Sequence, residues 1–207
     1  MHGALRAFLA VTIVAAFEPT AIAQSGVKTD PDWPCHQTKV PNYSLAAVWD
    51  GPELDLNSQS WRDENELVDL MAKMADRRIP IADAESAIAD FKAKFGADAD
   101  AKLLRAFAAA FEELSQQRSQ ILDGLERLGR KQRTLADRIR AESEGSQYST
   151  EQNRDRQASS DVDSQQRLQW DIRIFDDRSR MVAYVCETPT LIEQRIGAIA
   201  RAVQKAL

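Results

Sequence analysis

Apolar side chains recur along most of this chain at alternating three- and four-residue intervals, the spacing that lines one face of an α-helix. The longest such run starts at Leu104 and passes through Phe107, Phe111, Leu114, Arg118, Ile121, Leu125, Leu128, Gln132, Leu135 and Ile139. It is a heptad seam of about five repeats, interrupted by the polar residues Arg118 and Gln132. A helix of that extent is about 65 Å long at 1.5 Å per residue. Asp98 is placed to cap it, and Glu144-Gly145-Ser146-Gln147-Tyr148 is expected to end it. Ser149-Thr150-Glu151-Gln152 then matches a capping box that starts a return helix. The return helix has its own seam: Ala158, Asp161, Gln165, Leu168, Ile172, Phe175, Ser179, Val182 and Cys186. Folded about Gly145–Gln147, the two seams pair Phe111 with Val182, Ile121 with Ile172, Leu125 with Leu168 and Leu135 with Ala158. In that register Arg118 lies beside Phe175 and Asp176, and Gln132 faces Asp161.

Shorter helices flank this hairpin. Ser58 or Ser60 can cap a first helix whose stripe is Leu67, Leu70, Met71 and Met74. After Pro80 a second carries Ala84, Ile88, Phe91 and Phe95 on one face, and Gly96 suits the left-handed residue that closes it. Thr188-Pro189 reads as the cap and first turn of a separate C-terminal helix with Ile192, Ile196, Ile199 and Val203 as its apolar face. No segment carries strand alternation.

Gln24–Gly51 has no helical period. Pro31, Pro34, Pro41 and Pro52 each remove a backbone donor and turn the preceding residue away from helix. Among them stand Trp33, Tyr43, Val48 and Trp49, side chains too large and apolar for an unstructured leader. The segment reads as an extended strap laid on the helices.

The first residues read as an export signal. A short basic start, the apolar run Ala7–Phe17 and the small-x-small site Ala21-Ile22-Ala23 predict cleavage after Ala23. A run of about eleven residues is too short to span a bilayer, which takes about twenty. The expected location is the periplasm, with no membrane span after cleavage. In an oxidising compartment the two cysteines, Cys35 and Cys186, are expected to form a disulfide, the alternatives being buried free thiols or a redox pair. The bridge would close a loop of about 150 residues, for which the chain-entropy model gives roughly 4–5 kcal/mol. The fold expected is thus all-α: a helical bundle with a long antiparallel coiled-coil hairpin and an extended N-terminal strap tied by one disulfide. Its divisions are a signal peptide (1–23), strap (24–57), short helices (58–97), hairpin (98–187) and C-terminal helix (188–207), with 24–207 one domain.

Composition narrows the chemistry. A net charge of −5 gives no cationic surplus for nucleic acid. Past the signal His36 is the single histidine, which argues against histidine-based metal centres and triads. Met71, Met74 and Met181 could offer thioethers to Cu(I), but the first two fit a core stripe better. Cys35-His36 is too small a ligand set for a metal. Carboxylates such as Asp63, Glu64, Asp69 and Asp171 are interspersed with arginines, as on a solvated face. No nucleophile elbow, P-loop, dinucleotide-binding glycine pattern or zinc-protease motif occurs. Arg118 within the seam either fixes register or forms an anion site between helices.

Trp33-Pro34-Cys35, Val40-Pro41, Val48-Trp49-Asp50-Gly51-Pro52 and the closing Tyr184-Val185-Cys186-Glu187-Thr188-Pro189 resemble small exported proteobacterial proteins without an assigned function. The resemblance covers the two ends, about a third of the chain. It implies the Cys35–Cys186 pairing and no catalytic residues.

The functional expectation is a non-catalytic protein that binds another periplasmic or envelope protein, without cofactor or metal. Trp49, Tyr43 and Trp33 are the candidate partner surface, with Trp33 the more structural and Trp49 the better contact. The alternative is a carrier of a small molecule or metal in an apolar cleft under Trp33 and Trp49. A third reading is an enzyme using the acidic residues.

Overall fold

The computed structural model describes residues 30–152 and 158–207, with side chains over 30–145 and 162–207. The expected signal and its cleavage site lie outside the described residues. Among these residues there are four α-helices and no strand: α1 (Asn65–Ala75), α2 (Ile81–Phe95), α3 (Ala99–Gln152) and α4 (Ala158–Ala206). Short 3-10 turns precede α1 and α3.

The fold is the one expected, an all-α base with a long helical hairpin, but two helix boundaries differ. α3 does not stop at Gly145. It continues to Gln152, so the expected capping box lies in its final turn. One helical glycine costs about 1 kcal/mol relative to alanine, too little to end a helix that has already propagated through about thirteen turns. α3 is therefore about 80 Å long rather than 65 Å. Nor does Thr188-Pro189 start a new helix, because α4 runs unbroken through Pro189. An interior proline costs about 3 kcal/mol. Packing on both sides of it offsets that cost: Val182 and Cys186 are buried before it, Ile192 and Ile196 after it.

These extensions move the hairpin register. Leu125 packs with Val182 and Cys186 rather than facing Leu168. The Gln132 amide donates to the Phe175 carbonyl (3.1 Å) and to Ser179 Oγ (3.0 Å), while the side chain of Asp161, its expected partner, lies outside the described residues. Arg118 meets Glu193 in place of Phe175 and Asp176. The shift is two heptads or slightly more, as required when α3 runs to Gln152 instead of ending at Gly145.

At the base α1 and α2 join the start of α3 and the end of α4 around one core. Leu67, Met74, Ile88, Phe107, Leu114, Ile192, Ile196 and Ile199 are almost wholly buried there. The expected stripes of α1 and α2 face this core, with Met71 and Phe95 at its margin. α2 closes on Gly96, whose φ of 56° a residue without Cβ adopts at no steric cost. Ser58 and Ser60 do not cap α1. The residue before it is Glu64, and Ser60 opens the preceding 3-10 turn.

The strap lies along α3, running from hairpin to base. Asp32 pairs with Arg130 and Arg133, Lys39 with Glu126, and Trp49 ends against Phe107 with ring centroids 4.7 Å apart. The Cys35–Cys186 disulfide ties it to α4, with the Cα atoms 5.6 Å apart and 151 residues between them in sequence.

Candidate interaction surface

The strap residues divide differently from the sequence expectation. Trp49 is only 8% exposed, within the base core, and its indole N–H donates to the Pro52 carbonyl at 2.7 Å. Trp49 is therefore a core residue and presents no contact face. It was misjudged because the Pro/Gly-rich turn around it looked like an exposed tip, whereas the turn bends the ring inward. Tyr43 is half-buried against the same core. Burial pushes its phenol pKa up, with the Glu193 carboxylate adding to the rise and Arg118 opposing it. Trp33 packs in the separate small cluster around the disulfide, and its indole donates to the Gln37 carbonyl. Trp33 and Trp49 thus belong to different clusters and do not roof a common cleft.

Arg118 is 2% exposed and is the point where strap, α3 and α4 meet. Its Nε donates to Glu193 Oε1 (2.6 Å), and its terminal nitrogens donate to the carbonyls of Val40 (2.7 Å) and Pro41 (3.2 Å). The guanidinium also lies 5.6 Å from the centroid of the Tyr43 ring. Its charge is met by a carboxylate of its own chain, so the geometry is a clasp rather than an anion site. Gln132 is also buried, and its Oε1 has no hydrogen-bond partner.

A second clasp had no expectation attached to it. Arg195 donates to the carbonyls of Met74 (2.6 Å), Lys73 (2.9 Å) and Ile79 (2.7 Å). It places a cation at the end of α1, where carbonyls lack helical partners and the dipole is negative. Burial pushes its pKa down, and Asp76 partly counters this. Gly129 was missed as well. A Cβ there would overlap the Asp32 carbonyl, so the strap crosses α3 where the helix has no side chain. An unexplained glycine inside a strong helical pattern was the available signal.

Among the described residues the other candidate side chains lie apart. Met71 and Met74 belong to the base core, while Met181 stands exposed on the hairpin. Cys35 is in the disulfide beside the exposed His36. Among the described residues no group of three or more His, Cys, Asp or Glu is arranged to hold a metal. Glu64 accepts from Lys102 and Arg105, and Asp171 pairs with Arg138 at 2.6 Å. An open groove lies between α1 and α2, lined by Leu70, Phe91 and Phe95 with Asp69, Lys73 and Asp90. No helix of the described residues is long and apolar enough to cross a membrane.

The unsatisfied apolar surface is on α4. Trp170 is 63% exposed, Met181 62%, Tyr184 78% and Leu191 56%. With Ile174, Asp177 and Thr188 these residues keep the three-four alternation, forming a second seam on α4 beside the one that packs on α3, with Trp170 bordering Arg138 and Glu142 of α3. Toward the C-terminus the same positions continue as Arg195 and Ala202, which the base covers. One face of α4 is therefore filled at the base and bare along the hairpin. This seam was readable in the sequence beside the first, but the paired seam drew the reading to itself. No family model, curated protein or solved structure matches the chain.

Proposed function

We propose that this is a non-catalytic helical protein that binds a protein partner in an exported, oxidising compartment, the periplasm if the source is a diderm bacterium, through the outer face of α4. The observation that carries this reading is the bare seam of Trp170, Met181, Tyr184 and Leu191. Isolated exposed apolar residues are ordinary, but four large ones on one helical stripe are the composition of a docking face. The disulfide supports the compartment. The disulfide and the Arg118 clasp tie strap, α3 and α4 together, which lowers the ordering cost of binding. The carrier reading loses its support with the separation of Trp33 from Trp49.

Site-specific photo-crosslinking in the native host tests this. A crosslinker at Tyr184 should trap a defined protein, one at the exposed Asp137 of α3 should not, and Trp170→Glu should abolish the Tyr184 adduct. Equal trapping from both positions would reject the α4 face.

A further inference from the structure

Resting on the docking role of α4 proposed above, the chemistry of its occupant follows from what borders the bare seam. Between Glu126 and Arg140, α3 carries six cations and two carboxylates, in a chain whose net charge is −5. The surplus is therefore local. Both carboxylates are engaged elsewhere, Glu126 by Lys39 of the strap and Asp137 by Arg140. Where α3 meets α4, a groove of about 390 Å³ opens over the buried Leu135. Arg130, Lys131 and Arg138 line it from α3 and Arg178 from α4, and among the described residues no carboxylate does.

Two of these cations are already met, Arg130 by Asp32 at 3.3 Å and Arg138 by Asp171 at 2.6 Å. Lys131 and Arg178 are exposed and make no ion pair among the described residues. Lys131 also follows Arg127 by four residues, a like-charge spacing that destabilises a helix until an opposite charge covers it. The groove is the inner edge of the seam. Arg178 stands on α4 four residues after Ile174 and three before Met181, so the three share one side of that helix. Arg138 lines the neighbouring hollow together with Trp170. A row of cations and a row of exposed apolar side chains thus run side by side.

We infer that the occupant is an acidic amphipathic helix of another protein, lying along the groove between α3 and α4. Its apolar side chains rest on Trp170, Ile174, Met181 and Tyr184, and carboxylates on its flank pair with Lys131 and Arg178. From Trp170 to Leu191 the bare stripe runs about 32 Å, the length of a helix of about 21 residues. A groove between two packed helices is where a third helix packs. Anionic lipid is the other surface that cations beside exposed aromatic rings attract. Asp177, in the middle of the stripe, favours protein, because a bilayer would press its carboxylate against anionic headgroups.

The probe is a labelled helical peptide of about 21 residues, with leucines at three-four spacing and glutamates along one flank, beside a twin with lysines for the glutamates. Fluorescence anisotropy against the disulfide-intact full chain at about 50 mM salt should show the glutamate peptide binding about tenfold tighter or more than its twin. Lys131→Glu with Arg178→Glu should reverse that order. Arg77→Glu with Arg201→Glu, at two exposed cations of the base, should leave it unchanged. Circular dichroism confirms that each variant folds. Equal binding of the two peptides overturns the inference, as does a base pair of substitutions that shifts the order as far as the groove pair does. Binding of neither peptide overturns it too, and vesicles of phosphatidylglycerol held through Lys131 and Arg178 would then assign the groove to lipid. A Tyr184 crosslink to a defined protein that persists in the host after any of these results would remove the acidic occupant alone and leave the docking face standing.

Discussion

Replacing Gly129 by alanine and, separately, Gly124 by alanine makes the same chemical change on the same helix five residues apart, with opposite results expected. Alanine in a helix interior gains about 1 kcal/mol over glycine. At Gly124 nothing opposes that gain, since a Cβ there comes within 4 Å of one flexible atom alone, Arg127 Nη2 at 3.8 Å. At Gly129 the new methyl would occupy the position of the Asp32 carbonyl and press on the Pro34 ring. The strap must lift there while Cys35 stays tied to α4. Lifting breaks the contacts of Asp32 with Arg130 and Arg133, worth about 0–1 kcal/mol each. It also exposes part of Trp33, worth about 1–2 kcal/mol. Gly129→Ala should therefore lose about 0–3 kcal/mol net while Gly124→Ala gains up to about 1 kcal/mol. The pair should differ in Tm by about 2–15 °C for a chain of this size. Thermal and urea unfolding under non-reducing conditions measure this. If Gly129→Ala proves as stabilising as Gly124→Ala, the strap does not cross α3 at that glycine.

Trp49→Ala should cost about 3–5 kcal/mol, the range for a buried aromatic, and Trp33→Ala about 1–2 kcal/mol; equilibrium unfolding ranks them, and the reverse order would contradict the assignment of Trp49 to the core. Arg118→Met should cost about 2–4 kcal/mol by leaving Glu193 and two strap carbonyls without their donor, and adding Glu193→Met should recover part of it. A double-mutant cycle with no coupling would reject the clasp. Stability should be level between about pH 5 and 9 and fall between about pH 4.5 and 2. Asp76 is held at about 2, chiefly by the Arg78 side chain, and Glu64 is lowered first by Lys102 and Asp30 first by the Asp32 backbone N–H. A depressed carboxylate contributes stability above its unfolded pKa and loses it as pH falls through the folded value, so Tm rising toward acid would refute these pairings.

How far the pattern of residues reached can be judged from particular elements. The stripes of α1 and α2 and the seam of α3 were legible because burial selects apolar residues at the helical period. The disulfide was legible from cysteine parity. Register was not, because a heptad seam slid by seven residues presents nearly the same pattern. What selected among registers was polar: Arg118 toward Glu193, Gln132 toward the Phe175 carbonyl, Arg138 toward Asp171. Such pairings cannot be scored before the turn is located. Gly145 and Pro189 misled for one reason. Each is a local signal worth about 1–3 kcal/mol, and packing along the rest of a 54- or 49-residue helix exceeds it. Trp49 was misplaced because a turn composition reports backbone freedom and says nothing of which way the ring points. The outer seam of α4 lay in plain view but shared its helix with a seam already assigned.

The central claim is that the outer face of α4 is covered when the protein works. Oxidative footprinting reads it directly at Trp170, Met181 and Tyr184, all more than half exposed in the single chain. Labelling should be strong in the purified chain at sub-micromolar concentration and several-fold weaker in intact cells, while Trp49 is weakly labelled in both. Equal labelling of Trp170, Met181 and Tyr184 in the two settings would mean that nothing docks on α4, and would contradict the account.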